Sequence, residues 1–143
     1  MGLHHPQALD FAGYAERFIG THYRWGGQNP IAGFDCSGLV VECLRAFDFV
    51  PSDYDDTAQG IYDLMVKRGA PVIESRGSLV FFGKDLTSIK HVGIVVGHDL
   101  MIEAGGGGPL TKTKEDAQLQ GAFVRYRPIN MRTDNSWAIK PKY

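Results

Sequence analysis

Apolar residues follow two different rhythms along this chain, and the change comes near residue 77. Leu9, Phe11, Ala12, Ala15, Phe18 and Ile19 recur at roughly helical spacing, which predicts a helix over 7–20 ended by Gly20. Leu39, Val40, Cys43, Leu44 and Phe47 mark a second helix that begins at Cys36. A third is expected from about Thr57 to Lys67, with N-cap candidates in the acidic turn 51–56 and a stop at Gly69. From Gly77 onward the apolar runs are short and bounded by Gly, Asp or Pro, so 79–82, 92–96, 100–102 and 122–126 read as four strands. Helices first and strands afterwards predict an α+β fold, with an antiparallel sheet packed against the helix that starts at Cys36.

Between these elements the breakers are plain. Gly26, Gly27 and Pro30 interrupt 22–30, and four glycines followed by Pro109 make 105–109 a flexible loop. Beyond Pro128 no strong periodicity remains, which sets 127–143 as a C-terminal extension of one domain, 1–143, with a core over about 9–126. A chain of 143 residues, 43% hydrophobic, fits one compact unit. Its net charge of −1 is spread evenly and gives no electrostatic reason to bind nucleic acid or an anionic membrane. No apolar run approaches the ~20 residues of a membrane span, and residues 1–6 lack the pattern of a secretory signal. The expected routes are a cytoplasmic role, a trimmed form, or delivery by a phage particle, a lysis event or a secretion assembly.

The candidate chemistry starts at Cys36, in the run Gly33-Phe34-Asp35-Cys36-Ser37-Gly38. A loop turns there into a helix, and the unpaired N–H groups and dipole of a helix N-terminus favour a thiolate. Cys36 therefore reads as a nucleophile. It shares a helical stripe with Val40, Cys43 and Phe47, so its side chain is expected to face the sheet. Cys43 reads as packing, since seven helical residues separate the thiols by about 10.5 Å, too far for a disulfide.

A thiol of this kind needs a base, and His91 opens a predicted strand. Alone it would pass for a polar strand-edge residue. Its strand and the next are joined by Gly97-His98-Asp99, short enough for a hairpin. A three-residue loop sets Val96 opposite Leu100, Val95 opposite Met101 and Gly93 opposite Glu103. His91 and Glu103 then become diagonal neighbours on one face, with side-chain-free Gly93 between them, and Glu103 orients the ring. A two-residue loop would instead turn Glu103 to the opposite face, where it would be an exposed charge. The spacings of Cys36, His91 and Glu103 match no zinc signature, so neither metal nor cofactor is expected.

Four blocks together resemble the NlpC-type cysteine peptidases, papain-like enzymes that cut the peptide stems of bacterial cell wall. They are Tyr23-Arg24-Trp25-Gly26-Gly27, Phe34-Asp35-Cys36-Ser37-Gly38-Leu39-Val40, Gly77-Ser78-Leu79-Val80-Phe81-Phe82 and His91-Val92-Gly93-Ile94-Val95-Val96-Gly97. The resemblance implies a papain-like fold, peptidoglycan stem peptides as substrate, and Cys36, His91 and Glu103 as nucleophile, base and third residue. It further implies that Tyr23 helps bind the oxyanion and that Trp25 and Ser37 line the substrate site. Two positions depart from the family pattern: Glu103 stands where histidine is commoner, and Ser78 replaces an acid. A non-catalytic phage or binding module, and an acyltransferase on the same scaffold, are the competing readings.

Overall fold

The computed structural model describes residues 9–143. Of the first expected helix, Gln7 and Ala8 lie outside the described residues, and the remainder is shorter than the periodicity suggests. Helix α1 spans Phe11–Glu16, capped by the Asp10 carboxylate, which accepts from the Gly13 N–H at 2.7 Å. It ends early because Gly20, at φ +90°, turns the chain so that its N–H donates to the Val124 carbonyl of the sheet. The loop that follows is less irregular than expected: β1 (Gln28–Asn29) and β2 (Gly33–Phe34) pair antiparallel inside it.

Helix α2 (Cys36–Ala46) and helix α3 (Ala58–Lys67, capped by Thr57) follow where the apolar stripes place them. Then come β3 (Leu79–Gly83), β4 (Ile89–Gly97), β5 (Leu100–Gly105), helix α4 (Lys114–Gln120), β6 (Phe123–Pro128) and β7 (Asn135–Ile139). They form one antiparallel sheet in the order β6-β5-β4-β3-β7.

Two of these elements correct the reading of the sequence. Helix α4 has little apolar stripe, only Ala117 being buried, and is defined instead by a Thr113–Asp116 capping box and by left-handed Gly121. The segment beyond 127 is no extension: it supplies the end of β6 and all of β7, which pairs with β3 through Phe81 opposite Trp137. As an edge strand with exposed Asn135 and Ser136, β7 shows no clean alternation of apolar and polar residues.

The sheet has two unlike faces. On one, Leu79, Phe81, Val92, Ile94, Ile102 and Ala104 join Leu39, Val40, Leu44, Ile61 and Met65 of α2 and α3 in the main core. Burying each such large side chain contributes about 1.5–3 kcal/mol. On the other, Val80, Phe82, Val95, Met101 and Ile129 form a smaller cluster.

The β4–β5 hairpin differs from expectation in its turn but not in its consequence. Gly97 pairs with Leu100, leaving a two-residue turn of His98 and Asp99, with Asp99 at φ +50°. A two-residue turn alone would have reversed Glu103. The ladder skips Val96, however, as a β-bulge, so Val95 still pairs with Met101 and Ile94 with Ile102. Val96 is thus unpaired rather than opposite Leu100, and the bulge restores the face on which Glu103 stands.

Candidate active site

The first turn of α2 is locked to the double-glycine loop by Asp35. Its carboxylate accepts from the Gly38 N–H at 2.7 Å, the Ser37 hydroxyl at 3.2 Å and the Gly26 N–H at 3.0 Å. Its own N–H donates to the Gly27 carbonyl at 3.0 Å. A Cβ on Gly38 would fall 1.9 Å from that carbonyl, so only glycine lets loop and helix approach this closely. Burial pushes the Asp35 carboxyl pKa up, against the pull of these donors. Helical spacing gives Asp35 no role, although an Asp immediately before a helix is itself a cap signal.

This clamp fixes Cys36 as the first residue of α2, half-buried on the wall of a cleft of about 540 Å³. Cys43, two turns further along the same stripe, is fully buried, and burial pushes its thiol pKa far up. Cys43 is packing, as its place on the helix predicts.

His91 faces the same cleft and is 9% exposed, and its Nε2–H donates to Glu103 Oε1 at 2.7 Å. With Nε2 engaged, Nδ1 is the nitrogen left to serve Cys36. Burial opposes the ring's positive charge, but the neighbouring Cys36 and the Glu103 carboxylate outweigh it and raise the His91 pKa to about 9. Burial likewise opposes charge on Glu103, yet His91 and then Arg125 hold its carboxyl down to about 2. The pair stands as imidazolium and carboxylate.

Arg125 is a residue that spacing alone does not point to. It sits directly across from Glu103 on β6, and its Nε donates to Oε2 at 3.0 Å, while Arg127 Nη1 lies 3.7 Å from the same oxygen. Its only signal in the sequence was charge at alternate positions of a strand, which is indistinguishable from a solvated edge until the β5–β6 register is known. Gly93 does not merely leave an open gap: a Cβ there would fall 2.8 Å from Met101 Sδ, so Met101 fills the space. Gly105 makes room for the carboxylate itself, since its Cβ would lie 2.2 Å from Glu103 Oε2.

Tyr23 lines the cleft, 5% exposed, with its N–H on the Ala122 carbonyl at 2.9 Å and its ring against Gly107, where a Cβ would come within 2.3 Å. Burial, then the charges of Cys36 and Asp35, push the phenol pKa up and keep it a neutral donor. Trp25 is half-exposed on the rim, its N–H on the Thr111 carbonyl at 2.7 Å. Ser37 also lines the cleft, its hydroxyl turned to Asp35. Ser78, at the position where the pattern has an acid, is fully buried and closes the 73–78 turn, donating to the Ile73 carbonyl at 2.5 Å.

A thiol at a helix N-terminus, facing an imidazole and a carboxylate on an antiparallel sheet, defines the papain-like class of α+β proteins. Within that class a family model described as NlpC/P60 family matches residues 20–127. The chain belongs to that family.

It is 40% identical over 90 residues to "Murein DD-endopeptidase MepH" of Escherichia coli, covering 60% of this chain and 32% of that protein. It is 38% identical over 96 residues to "Bifunctional muramidase/DL-endopeptidase CwlT" of Bacillus subtilis, covering 66% and 28%. The chain thus spans less than a third of the length of either relative. Among solved structures it resembles RipD of Mycobacterium tuberculosis, described as a non-catalytic NlpC/p60 domain protein. The TM-score is 0.63 at 14% identity, over 91% of this chain and 93% of that one.

Proposed function

We propose that this chain is a cysteine peptidase that hydrolyses amide bonds in peptidoglycan stem peptides. The observation that carries the reading is His91, bonded to Glu103 at 2.7 Å through Nε2 and coupled to Cys36 in one cleft. The curated relatives, named as murein and DL-endopeptidases, point to the same substrate.

The Cys36 thiolate attacks the amide carbonyl carbon, and its oxygen becomes an oxyanion facing the Cys36 N–H and the Tyr23 hydroxyl. His91 gives its Nδ1 proton to the nitrogen as the C–N bond breaks, releasing an amine and leaving a thioester. Water then attacks the thioester while His91 takes its proton, the C–S bond breaks, and a carboxylic acid leaves. Glu103 holds the ring in place throughout and stabilises its protonated form.

Resemblance to RipD makes a binding domain without chemistry the natural competitor, but here thiol, imidazole and carboxylate all stand together. Digestion of purified muropeptides, followed by mass spectrometry, decides between them. Wild type should release free amino groups from the stems, Cys36→Ala should lose at least about 10³ in rate, and Cys43→Ala should keep the activity. Intact muropeptides with wild type, or cleavage that survives Cys36→Ala, would overturn the reading. An added amine acceptor in the same assay separates hydrolysis from acyl transfer.

A further inference from the structure

The acids of the cleft are already spoken for. Asp35 spends its carboxylate on two backbone N–H groups and the Ser37 hydroxyl, and Glu103 spends its own on His91 and Arg125. The cations are engaged less fully. Lys90 is exposed because β4 bulges where Phe82 pairs with His91 and Gly83 with Ile89, which leaves Lys90 out of the ladder next to His91. Among the described residues Lys90 has no polar partner. Arg127 lies 3.7 Å from Glu103, beyond hydrogen-bond reach, so its donors are uncommitted among the described residues.

Arg132 completes the group. Its Nε and Nη2 bind Asp134 at 3.0 and 2.8 Å and its guanidinium lies 4.9 Å from the centre of the Phe82 ring, so it is held in place with Nη1 to spare. Lys90, Arg127 and Arg132 all line the cleft that holds Cys36 and His91. Beyond them a shallow hollow of about 320 Å³ continues the cleft between Arg127, Met131, Arg132 and Asp134. A group entering here meets spare donors on three cations, which outnumber the two carboxylates, Glu103 and Asp134, paired with them.

We infer that Lys90, Arg127 and Arg132 form a carboxylate-binding subsite that selects peptides carrying a free carboxylate on the amine-leaving side of the scissile bond. The side follows from His91, which delivers the proton to the leaving nitrogen: Arg127 lies 3.7 Å from the carboxylate that holds the ring, and Arg132 packs on Phe82, whose ring centre is 5.7 Å from that of the imidazole. Arginine suits the task because its fork matches a carboxylate in two parallel hydrogen bonds. The subsite rests on the peptidase reading for its place in the reaction, but not for its capacity to bind.

The test uses two synthetic stem peptides identical except that the leaving-side carboxylate is free in one and amidated in the other. Wild type should favour the acid by about tenfold or more in kcat/KM, carried mostly by KM and shrinking as salt is added. In Arg127→Gln and Lys90→Gln the ratio of acid to amide should fall, and in the double variant it should come close to one. Arg127→Lys should retain part of the preference. Because each protein is compared with itself, a general loss of rate does not alter the ratio.

Calorimetric titration of both peptides into Cys36→Ala, with and without Arg127→Gln, separates this inference from the peptidase reading. If wild type cleaves neither peptide but Cys36→Ala binds the acid more tightly and Arg127→Gln abolishes that preference, the subsite stands and the peptidase reading falls. Equal cleavage or equal binding of the two peptides, absence of binding altogether, or a preference untouched in the double variant would overturn the subsite.

Discussion

The two faces of the β4–β5 hairpin are built from alternate residues of the same two strands and obey opposite rules. Toward the helices, Val92, Ile94, Ile102 and Ala104 vanish into an apolar core in which only volume and shape matter. On the other side His91 and Glu103 are just as hidden, and their burial is tolerable because both carboxylate oxygens have partners: His91 Nε2 on Oε1, Arg125 on Oε2. The helix-facing side is wholly apolar, whereas the other, beside buried Val95 and Met101, also holds charge in place. Ile102 and Glu103, adjacent in sequence and both fully buried, therefore fail in different ways when altered.

The largest effects are expected from that neighbouring pair. Glu103→Gln should lower kcat by roughly 10 to 10³, less than the loss of an orienting acid costs a serine enzyme, because a thiol needs less help to ionise. Its cost in stability should be the smaller, since once the carboxylate is gone His91 can shed its proton and the half-exposed Arg125 can turn to solvent, which strands no buried charge. Ile102→Ala should do the reverse, removing about 2–5 kcal/mol of stability while the remaining folded protein turns over at near wild-type kcat. Urea denaturation and muropeptide kinetics on both variants read the two quantities separately. If Ile102→Ala lost kcat as deeply as Glu103→Gln, the two faces would not be independent.

How much of this could be read in the chain divides along the same line. The apolar face is written as periodicity, so α2, α3 and the strands β3 to β6 follow from spacing alone. Cys36 and His91 were legible because a helix start and a strand start place them, and Glu103 because hairpin counting puts it beside His91. The count reached the right face with the wrong turn, for Val96 bulges and the turn is one residue shorter. What spacing could not show is whatever depends on a partner far along the chain. Arg125 needs the β5–β6 register, β7 needs β3 beside it, and α4 is announced by its caps rather than by a stripe.

Arg125 supplies the next prediction, on the polar face alone. Its bond to Oε2 is one of the contacts that keep the Glu103 carboxyl low, so Arg125→Met should raise that pKa and move the acid limb of the pH–rate profile upward. The loss of kcat near neutrality should be about tenfold, the lower end for a hydrogen bond to a charged group, because Arg127 lies near the same oxygen. Arg125→Lys should bring the acid limb part of the way back. A rate that fell with both limbs unmoved, and that lysine did not restore, would mean that Arg125 only packs the edge of the sheet.

The smallest effect, and the one that isolates the charged face most cleanly, is the dependence of stability on pH. Glu103 is held at about 2, below its ordinary 4.5, so its contribution is present above pH 4.5 and is lost as pH falls through about 2. His91 is held at about 9, above its ordinary 6.5, so its contribution is complete below pH 6.5 and is lost as pH rises through about 9. Other carboxylates with lowered pKa values, Asp10, Glu16 and Asp134, add to the acid side. The alkaline window is cleaner, since an unfolded Cys43 is half ionised only at about 9 and the tyrosines at about 10. Urea midpoints measured from pH 6 to 9 should therefore decline in wild type and stay flat in His91→Gln. Cys36→Ala should shift the decline to lower pH, because the thiol is one of the two groups that hold the ring charged, and Ile102→Ala should keep the wild-type slope from a lower starting point. A flat wild-type profile would mean that His91 is neutral across this range, and the polar face would then be held by hydrogen bonds without the ion pair.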